Sequence, residues 1–306
     1  MADHILELKS VNKSYRDHRA VIDLSFDMPA GTIFGLLGPN GAGKTSMIRI
    51  INSITRADSG SILFDGEPLG ERHQSDIGYM PEERGLYKKM KVGEQLMYLA
   101  RLKGMPDKKA KEEIHTWMER FDIVSWYNKK IEELSKGMQQ KIQFISTVVH
   151  RPKLLILDEP FSGLDPINTN LIKDEIVELN NSGISVIFST HRMEQVDQIC
   201  KHMVMINKGR KVLEGPIDKV KEDFKQNIFT IDFDGEFQED LLQASNIIEK
   251  LENRITIQSD NILEANQLLD RMIRSGLTIN GFNEVLPTIN EIFIRKANDV
   301  DIHALA

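Results

Sequence analysis

Gly38-Pro39-Asn40-Gly41-Ala42-Gly43-Lys44-Thr45 follows the apolar run Ile33-Phe34-Gly35-Leu36-Leu37 and leads into Ser46-Met47-Ile48-Arg49-Ile50-Ile51, whose apolar residues have helical spacing. Strand, glycine-rich loop and helix is the order in which G-x-x-x-x-G-K-[ST] cradles phosphate. Gly38, Gly41 and Gly43 open backbone conformations closed to other residues, so successive N–H groups can turn inward at a helix N-terminus. Pro39, Asn40, Ala42 and Ser46 complete the cradle, and Lys44 would reach the β- and γ-phosphates.

Far downstream, Leu154-Leu155-Ile156-Leu157-Asp158-Glu159-Pro160 is an apolar strand ending in two carboxylates. A magnesium-nucleotide hydrolase needs that pair: Asp158 would hold Mg²⁺ through water, with the Thr45 hydroxyl as a further ligand. Glu159, desolvated at the strand end, would act as general base on the attacking water. The two segments together predict ATP and Mg²⁺ as ligands.

Composition agrees with a globular enzyme of the cytosol. The chain has 306 residues, 41% hydrophobic and 28% charged, which is long enough for two domains. Its single cysteine, Cys200, cannot form an intramolecular disulfide and suits a reducing compartment. The N-terminus lacks a basic region followed by an apolar core, and no apolar run approaches the ~20 residues a membrane span requires. Residues 221–306 carry 8 Lys+Arg against 16 Asp+Glu, so the acidic surplus lies in the tail and the near-neutral body offers no basic stripe. Nucleic-acid binding is not expected.

Further segments stand in a telling order. Leu134-Ser135-Lys136-Gly137-Met138-Gln139-Gln140-Lys141 lies before the carboxylate strand; Ser162-Gly163-Leu164-Asp165 and Ser189-Thr190-His191 lie after it; Tyr15 sits far upstream. Ser135 is a good N-cap, and Met138, Ile142, Ile145 and Val149 then recur at helical spacing. With the glycine loop and the carboxylate strand, these segments resemble the ordered motifs of an ABC-type ATPase over residues 4–220. The resemblance implies that Tyr15 stacks on adenine and that His191 donates a hydrogen bond to the γ-phosphate. It also implies that Ser135 and Gly137 face the γ-phosphate held by a second nucleotide-binding domain, and that Asp165 bridges the pair. The second domain would be another copy of the chain or a homologous ATPase.

Two segments depart from the family pattern. Glu82, in Ile77-Gly78-Tyr79-Met80-Pro81-Glu82, stands where a glutamine is usual and could still ligate Mg²⁺. Lys136 and Met138 replace a more common glycine and glutamine. These variants are similar to those of a bacterial ABC-2-type exporter subgroup, the sodium-extrusion and drug-efflux ATPases. The resemblance implies a separately encoded integral membrane permease subunit, a location at the cytoplasmic face of the membrane, and a docking surface over residues 82–100. Sodium, a peptide, a lipid or a drug are the cargo classes left open. The alternative is a soluble ABC ATPase acting on ribosomes or DNA, which usually carries two cassettes or a coiled-coil insertion. A GTPase is excluded because Asn207-Lys208-Gly209-Arg210 lacks the aspartate that reads guanine.

The expected fold is α/β, a P-loop NTPase over residues 1–220. Residues 1–87 and 150–220 read as short strands alternating with helices, and a helical subdomain is inserted at about 88–150. There Asp107 is expected to cap a helix after Pro106, with Ile114, Trp117, Met118 and Phe121 on one face. Residues 225–298 read as a smaller α+β domain in the order β-α-β-β-α-β-α, which suggests a ferredoxin-like arrangement. Its strands include Phe229-Ile231-Phe233 and a hairpin about Glu252-Asn253, and one helix would bury Ile262, Ala265, Leu269 and Ile273.

Overall fold

The computed structural model of the protein describes residues 3–16, 18–83, 85–238, 241 and 246–303, with the backbone alone at 246 and 297–303. The chain divides into two compact units, Met1–Ile217 and Asp218–Ala306.

Unit 1 opens with two long strands, β1 (His4–Tyr15) and β2 (His18–Pro29), paired antiparallel. Then come β3 (Ile33–Leu37), α1 (Lys44–Ile51), β4 (Ser59–Phe64), the short β5 (Glu67–Pro68) and β6 (Ile77–Met80). The helical stretch holds α2 (Val92–Leu102), α3 (Asp107–Arg120) and α4 (Lys136–Val148). The chain returns through β7 (Leu154–Asp158), α5 (Pro166–Asn181), β8 (Ser185–Thr190), α6 (Met193–Ile199), β9 (His202–Asn207) and β10 (Arg210–Pro216).

Two sheets form from these strands, one of four in the order β2-β1-β4-β5 and one of six in the order β10-β9-β3-β8-β7-β6. The N-terminal region therefore differs from the alternation expected of it: β1 and β2 make a separate antiparallel layer. Apolar residues on their inner faces, among them Leu6, Leu8, Leu24, Phe26 and Met28, join one core with Met47, Ile48, Ile50 and Ile51 of α1 and with Phe34, Leu36, Ile156 and Ile187 of the larger sheet. Phe26 stacks on Phe34 with ring centroids 5.6 Å apart, tying the two layers.

In the larger sheet β3 pairs parallel with β8 and β9, and β7 pairs parallel with β6 and β8. Every residue of β3, β7 and β8 is buried, the pattern of strands covered on both faces. The register aligns Leu37 with Thr190 and Asp158 with Ser189. The chain thus leaves β3, β7 and β8 at one edge, the carboxyl ends of parallel strands, where ligands of such sheets bind.

Among the helices, Ile114, Trp117, Met118 and Phe121 are buried, and Trp117 and Phe121 each lie 5.9–6.0 Å from the Phe144 ring of α4. Asp107 is not the cap expected of it. Pro106 holds that position, and Asp107, one residue inside α3, makes a two-pronged ion pair with Arg101, both contacts 2.8 Å. The Arg101 guanidinium meets both carboxylate oxygens at once in a charge-assisted pair.

The second unit contains α7 (Ile217–Asp223), which spans the boundary, then β11 (Ile228–Asp234), β12 (Asn246–Leu251), β13 (Arg254–Gln258), α8 (Ile262–Arg274), β14 (Thr278–Val285) and α9 (Ile289–His303). Its sheet runs β12-β13-β11-β14 with every pair antiparallel, the strand order of a ferredoxin-like domain. The helix expected between the first two strands falls largely on 239–240 and 242–245, outside the described residues. The face of α8 is rotated from the expected one: Ala265, Leu268 and Met272 are buried, while Ile262 and Ile273 are more than half exposed. Both stripes fit a helical period. The buried one meets Phe229, Ile231, Phe233, Ile255 and Ile257 of the sheet.

Candidate functional site

The loop after β3 is built by close backbone approach. Gly38 has φ 148°, and a Cβ there would sit 2.1 Å from the Ile206 carbonyl oxygen; Gly43, at φ 108°, would place one 2.2 Å from that of Ala20. Neither position admits a side chain. Lys44 begins α1 and is buried, and its ammonium donates to the carbonyls of Gly38 at 2.6 Å and Pro39 at 3.1 Å. Burial lowers its pKa, against the raising influence of Glu159, Asp158 and Glu82.

The register described above brings the carboxylates to this loop. Asp158 is buried, and its Oδ1 accepts a 2.8 Å hydrogen bond from the Ser189 hydroxyl. Burial raises its pKa, with Glu159 and Glu82 pushing the same way; Ser189 and Lys44 oppose them. Glu159 follows at φ 50°, a left-handed backbone for a residue with a Cβ. That turn breaks the strand alternation that would send consecutive side chains to opposite faces, and both carboxylates line one cavity.

Glu159 is fastened by β8 and the residue after it. Its Oε1 accepts from the His191 backbone N–H at 2.7 Å and lies 2.6 Å from His191 Nδ1, and its Oε2 accepts from the Thr190 hydroxyl at 3.1 Å. With Nδ1 committed to Glu159, Nε2 is left for other partners.

The cavity measures about 230 Å³ and is lined by Tyr15, His18, Ala20, Asn40, Gly41, Ala42, Gly43, Lys44, Thr45, Ser46, Glu82, Asp158, Glu159 and His191. Tyr15 stands at the end of β1, with the Lys13 ammonium 5.5 Å from its ring centroid. Gly38 and Pro39 do not line the cavity, and are linked to it by their carbonyls, which accept from the lining residue Lys44. Ser135, Gly137 and Asp165 do not line it. Ser135 caps α4, accepting from Met138 N–H, and Asp165 caps α5, accepting from Asn168 N–H. The one heavy atom within 4 Å of a Cβ built on Gly137 is Cδ2 of Leu164, which precedes Asp165.

Sequence reasoning gave Ser189, Thr190, His18 and Ala20 no role. Ser189 and Thr190 could have been found as hydroxyls ending an apolar strand, where buried carboxylates need donors. Nothing local marks His18 or Ala20, which reach the cavity through the pairing of β1 with β2.

Among the described residues no group of three or more His, Cys, Asp or Glu has the geometry to hold a metal ion by itself. Thr45, Asp158 and Glu82 offer hard oxygen donors beside the loop. That chemistry suits Mg²⁺, which takes few protein carboxylates and completes its shell with phosphate and water oxygens.

An ABC transporter family model matches residues 21–162, and the C-terminal domain of DrrA1-3-like ATP-binding proteins matches residues 215–297. YhaQ, an ABC transporter ATP-binding protein of Bacillus subtilis, is 44% identical over 301 residues, spanning 97% of this chain and 99% of YhaQ. The linearmycin resistance ATP-binding protein LnrL of the same organism is 34% identical over 214 residues, 69% of each chain. A solved ATP-binding subunit of an ABC transporter superposes with a TM-score of 0.68 at 27% identity, covering 72% of this chain and 93% of that one. Members of this family hydrolyse ATP, dimerise and work with transmembrane components. Among the described residues no helix is long and apolar enough to cross a membrane. The glycine cradle, the carboxylate pair at its mouth and these likenesses together make the chain a member of the ABC transporter ATP-binding family, a P-loop ATPase with a DrrA-like domain at its C-terminal end.

Proposed function

We propose that this chain powers export through a separately encoded membrane permease, at the cytoplasmic face of a bacterial membrane, by hydrolysing ATP between two cassettes. The observation that carries the reading is the cavity that gathers Lys44, Thr45, Asp158 and Glu159 at one sheet edge while Ser135, Gly137 and Asp165 stand outside it. A site with its base and cradle in place, and with an anion-binding helix end elsewhere on the same chain, calls for a second copy or a homologous ATPase to supply that helix end.

In this reading Tyr15 stacks on adenine, and the loop N–H groups and Lys44 hold the phosphates. Thr45, Asp158 through water, and Glu82 would hold Mg²⁺, which when bound would neutralise charge on the phosphate oxygens. Glu159 takes a proton from the attacking water as its oxygen bonds the γ-phosphorus; the bond to the bridging oxygen breaks, and ADP leaves with that electron pair. His191 orients Glu159 through its backbone N–H and Nδ1–H, and donates Nε2–H to the γ-phosphate when the ring carries both protons.

A groove of about 410 Å³ between β6, the end of α1 and the helices α2 and α4 supports the transport half of the reading. Ile54 and Leu102 stand on its rim, 60% and 65% exposed. We assign it to a short helix of the permease, with the segment after Glu82 as its edge. LnrL is named for linearmycin resistance, which supports export as the direction.

The test is Ser135→Arg in the full chain. It should bind ATP as the wild type does, yet lose turnover by about a hundredfold or more, on the scale of removing one set of charge-stabilising donors. Wild-type turnover per chain should rise with protein concentration. Undiminished hydrolysis by Ser135→Arg at every concentration would overturn the shared site.

A further inference from the structure

Helix α4 runs from the Ser135 cap to Val148 and carries two fully buried amides on one side, Gln140 and Gln143, 2% and 3% exposed. Gln140 donates Nε2–H to the Pro160 carbonyl at 2.9 Å, and Gln143 donates Nε2–H to the Pro81 carbonyl at 2.8 Å. Pro160 directly follows Glu159, and Pro81 directly precedes Glu82. One helix therefore grips the backbone beside each of two carboxylates that line the nucleotide cavity.

The second grip is reinforced close by. A Cβ built on Gly78 would sit 2.4 Å from the Thr147 carbonyl oxygen, so α4 lies directly on β6 three residues before Pro81. Stability is a poor account of Gln143, because among the described residues its buried Oε1 has no hydrogen-bond partner. An unsatisfied buried acceptor is destabilising, and an apolar side chain of the same length would avoid that. What the amide supplies is the fixed position of the Pro81 peptide.

We propose that Gln143 and Gln140 are positioning residues for ATP turnover, Gln143 setting Glu82 for the metal ion and Gln140 setting Glu159 for the attacking water. Through them the helix capped by Ser135 is tied to both carboxylate segments, so a shift of α4 is felt at Glu82 and Glu159 together. The inference rests on the site reading above, and wild-type Mg²⁺-ATP turnover, lost in Lys44→Ala, tests that reading in the same series.

The experiment is a double-mutant cycle on the full chain with Mg²⁺ and ATP. Gln143→Met should raise the Mg²⁺ concentration for half-maximal turnover by roughly tenfold, as loss of an outer-shell partner does. Its melting temperature should hold or rise, and Gln143→Leu should behave alike. In a Glu82→Ala background Gln143→Met should add little further rise, because the ligand that Gln143 sets is then gone. Gln140→Met should instead lower kcat roughly tenfold and leave the Mg²⁺ requirement unchanged. The proposal is overturned if Gln143→Met shifts the Mg²⁺ requirement by the same factor with and without Glu82. It is overturned equally if both variants lose activity only in step with their melting temperature.

Discussion

Replacing Glu159 by glutamine isolates proton transfer from everything else this residue does. The left-handed backbone at φ 50° is as open to glutamine as to glutamate. The amide oxygen can keep the place of Oε1, accepting from the His191 N–H now at 2.7 Å and from Nδ1–H at 2.6 Å. The amide nitrogen then faces the Thr190 hydroxyl 3.1 Å away, which can turn to accept and give its own proton to Gln195 Oε1 at 3.3 Å. Each contact survives with one hydroxyl reversed, so the variant's stability should stay within about 1 kcal/mol of wild type. Lost general-base catalysis costs about 10²–10⁴ in rate, or roughly 3–5 kcal/mol of barrier. Phosphate release under saturating Mg²⁺-ATP should fall by that factor while ATP binding persists and dimers accumulate on a sizing column. A rate within threefold of wild type, with binding intact, would remove Glu159 from the chemistry.

Asp158→Asn should stabilise the free protein by about 1 kcal/mol while abolishing Mg²⁺-dependent turnover, the usual opposition between a strained site and its scaffold. Burial holds the Asp158 pKa above its unfolded value, so the folded state binds the extra proton, and its contribution to stability falls as pH rises from the usual carboxylate range through the folded pKa. The gain in melting temperature from Asp158→Asn should therefore shrink as pH is lowered through that window; a constant gain would contradict the burial argument. Gly43→Ala should lose about 3 kcal/mol or more, since the new methyl would meet the Ala20 carbonyl oxygen at 2.2 Å in a backbone conformation that alanine resists. Thermal melting and nucleotide binding check it, and a wild-type melting curve would show that the loop relaxes freely.

The strands that carry the site were legible because they are buried on both faces. Ile33 to Leu37, Leu154 to Leu157 and Val186 to Phe188 read as unbroken apolar runs ended by chemistry-bearing residues. The antiparallel layer was not, because β1 and β2 are bulged. Their register shifts between Leu8 and Val11, and Ser10 and Asp23 take positive φ, so the strict alternation that announces a half-buried strand is lost. Asp107 shows a local preference overruled by a tertiary partner, and α8 shows a helical period that offers two apolar stripes and a sheet that selects one. Ser135, Gly137 and Asp165 lie apart from the cavity, and only resemblance to a family joined them to it. The hydroxyls of Ser189 and Thr190 were in plain view, but their purpose appears only when β7 and β8 are laid side by side.

The backbone twist at Glu159 also limits how this protein can drift. A left-handed residue of order 1 kcal/mol in cost tolerates glycine, asparagine or aspartate and resists valine, isoleucine and threonine, whose branched Cβ crowds the carbonyl. Gene duplicates that fall silent as ATPases yet still fold should therefore carry unbranched or small replacements here, and a branched one should mark a copy on its way to being lost.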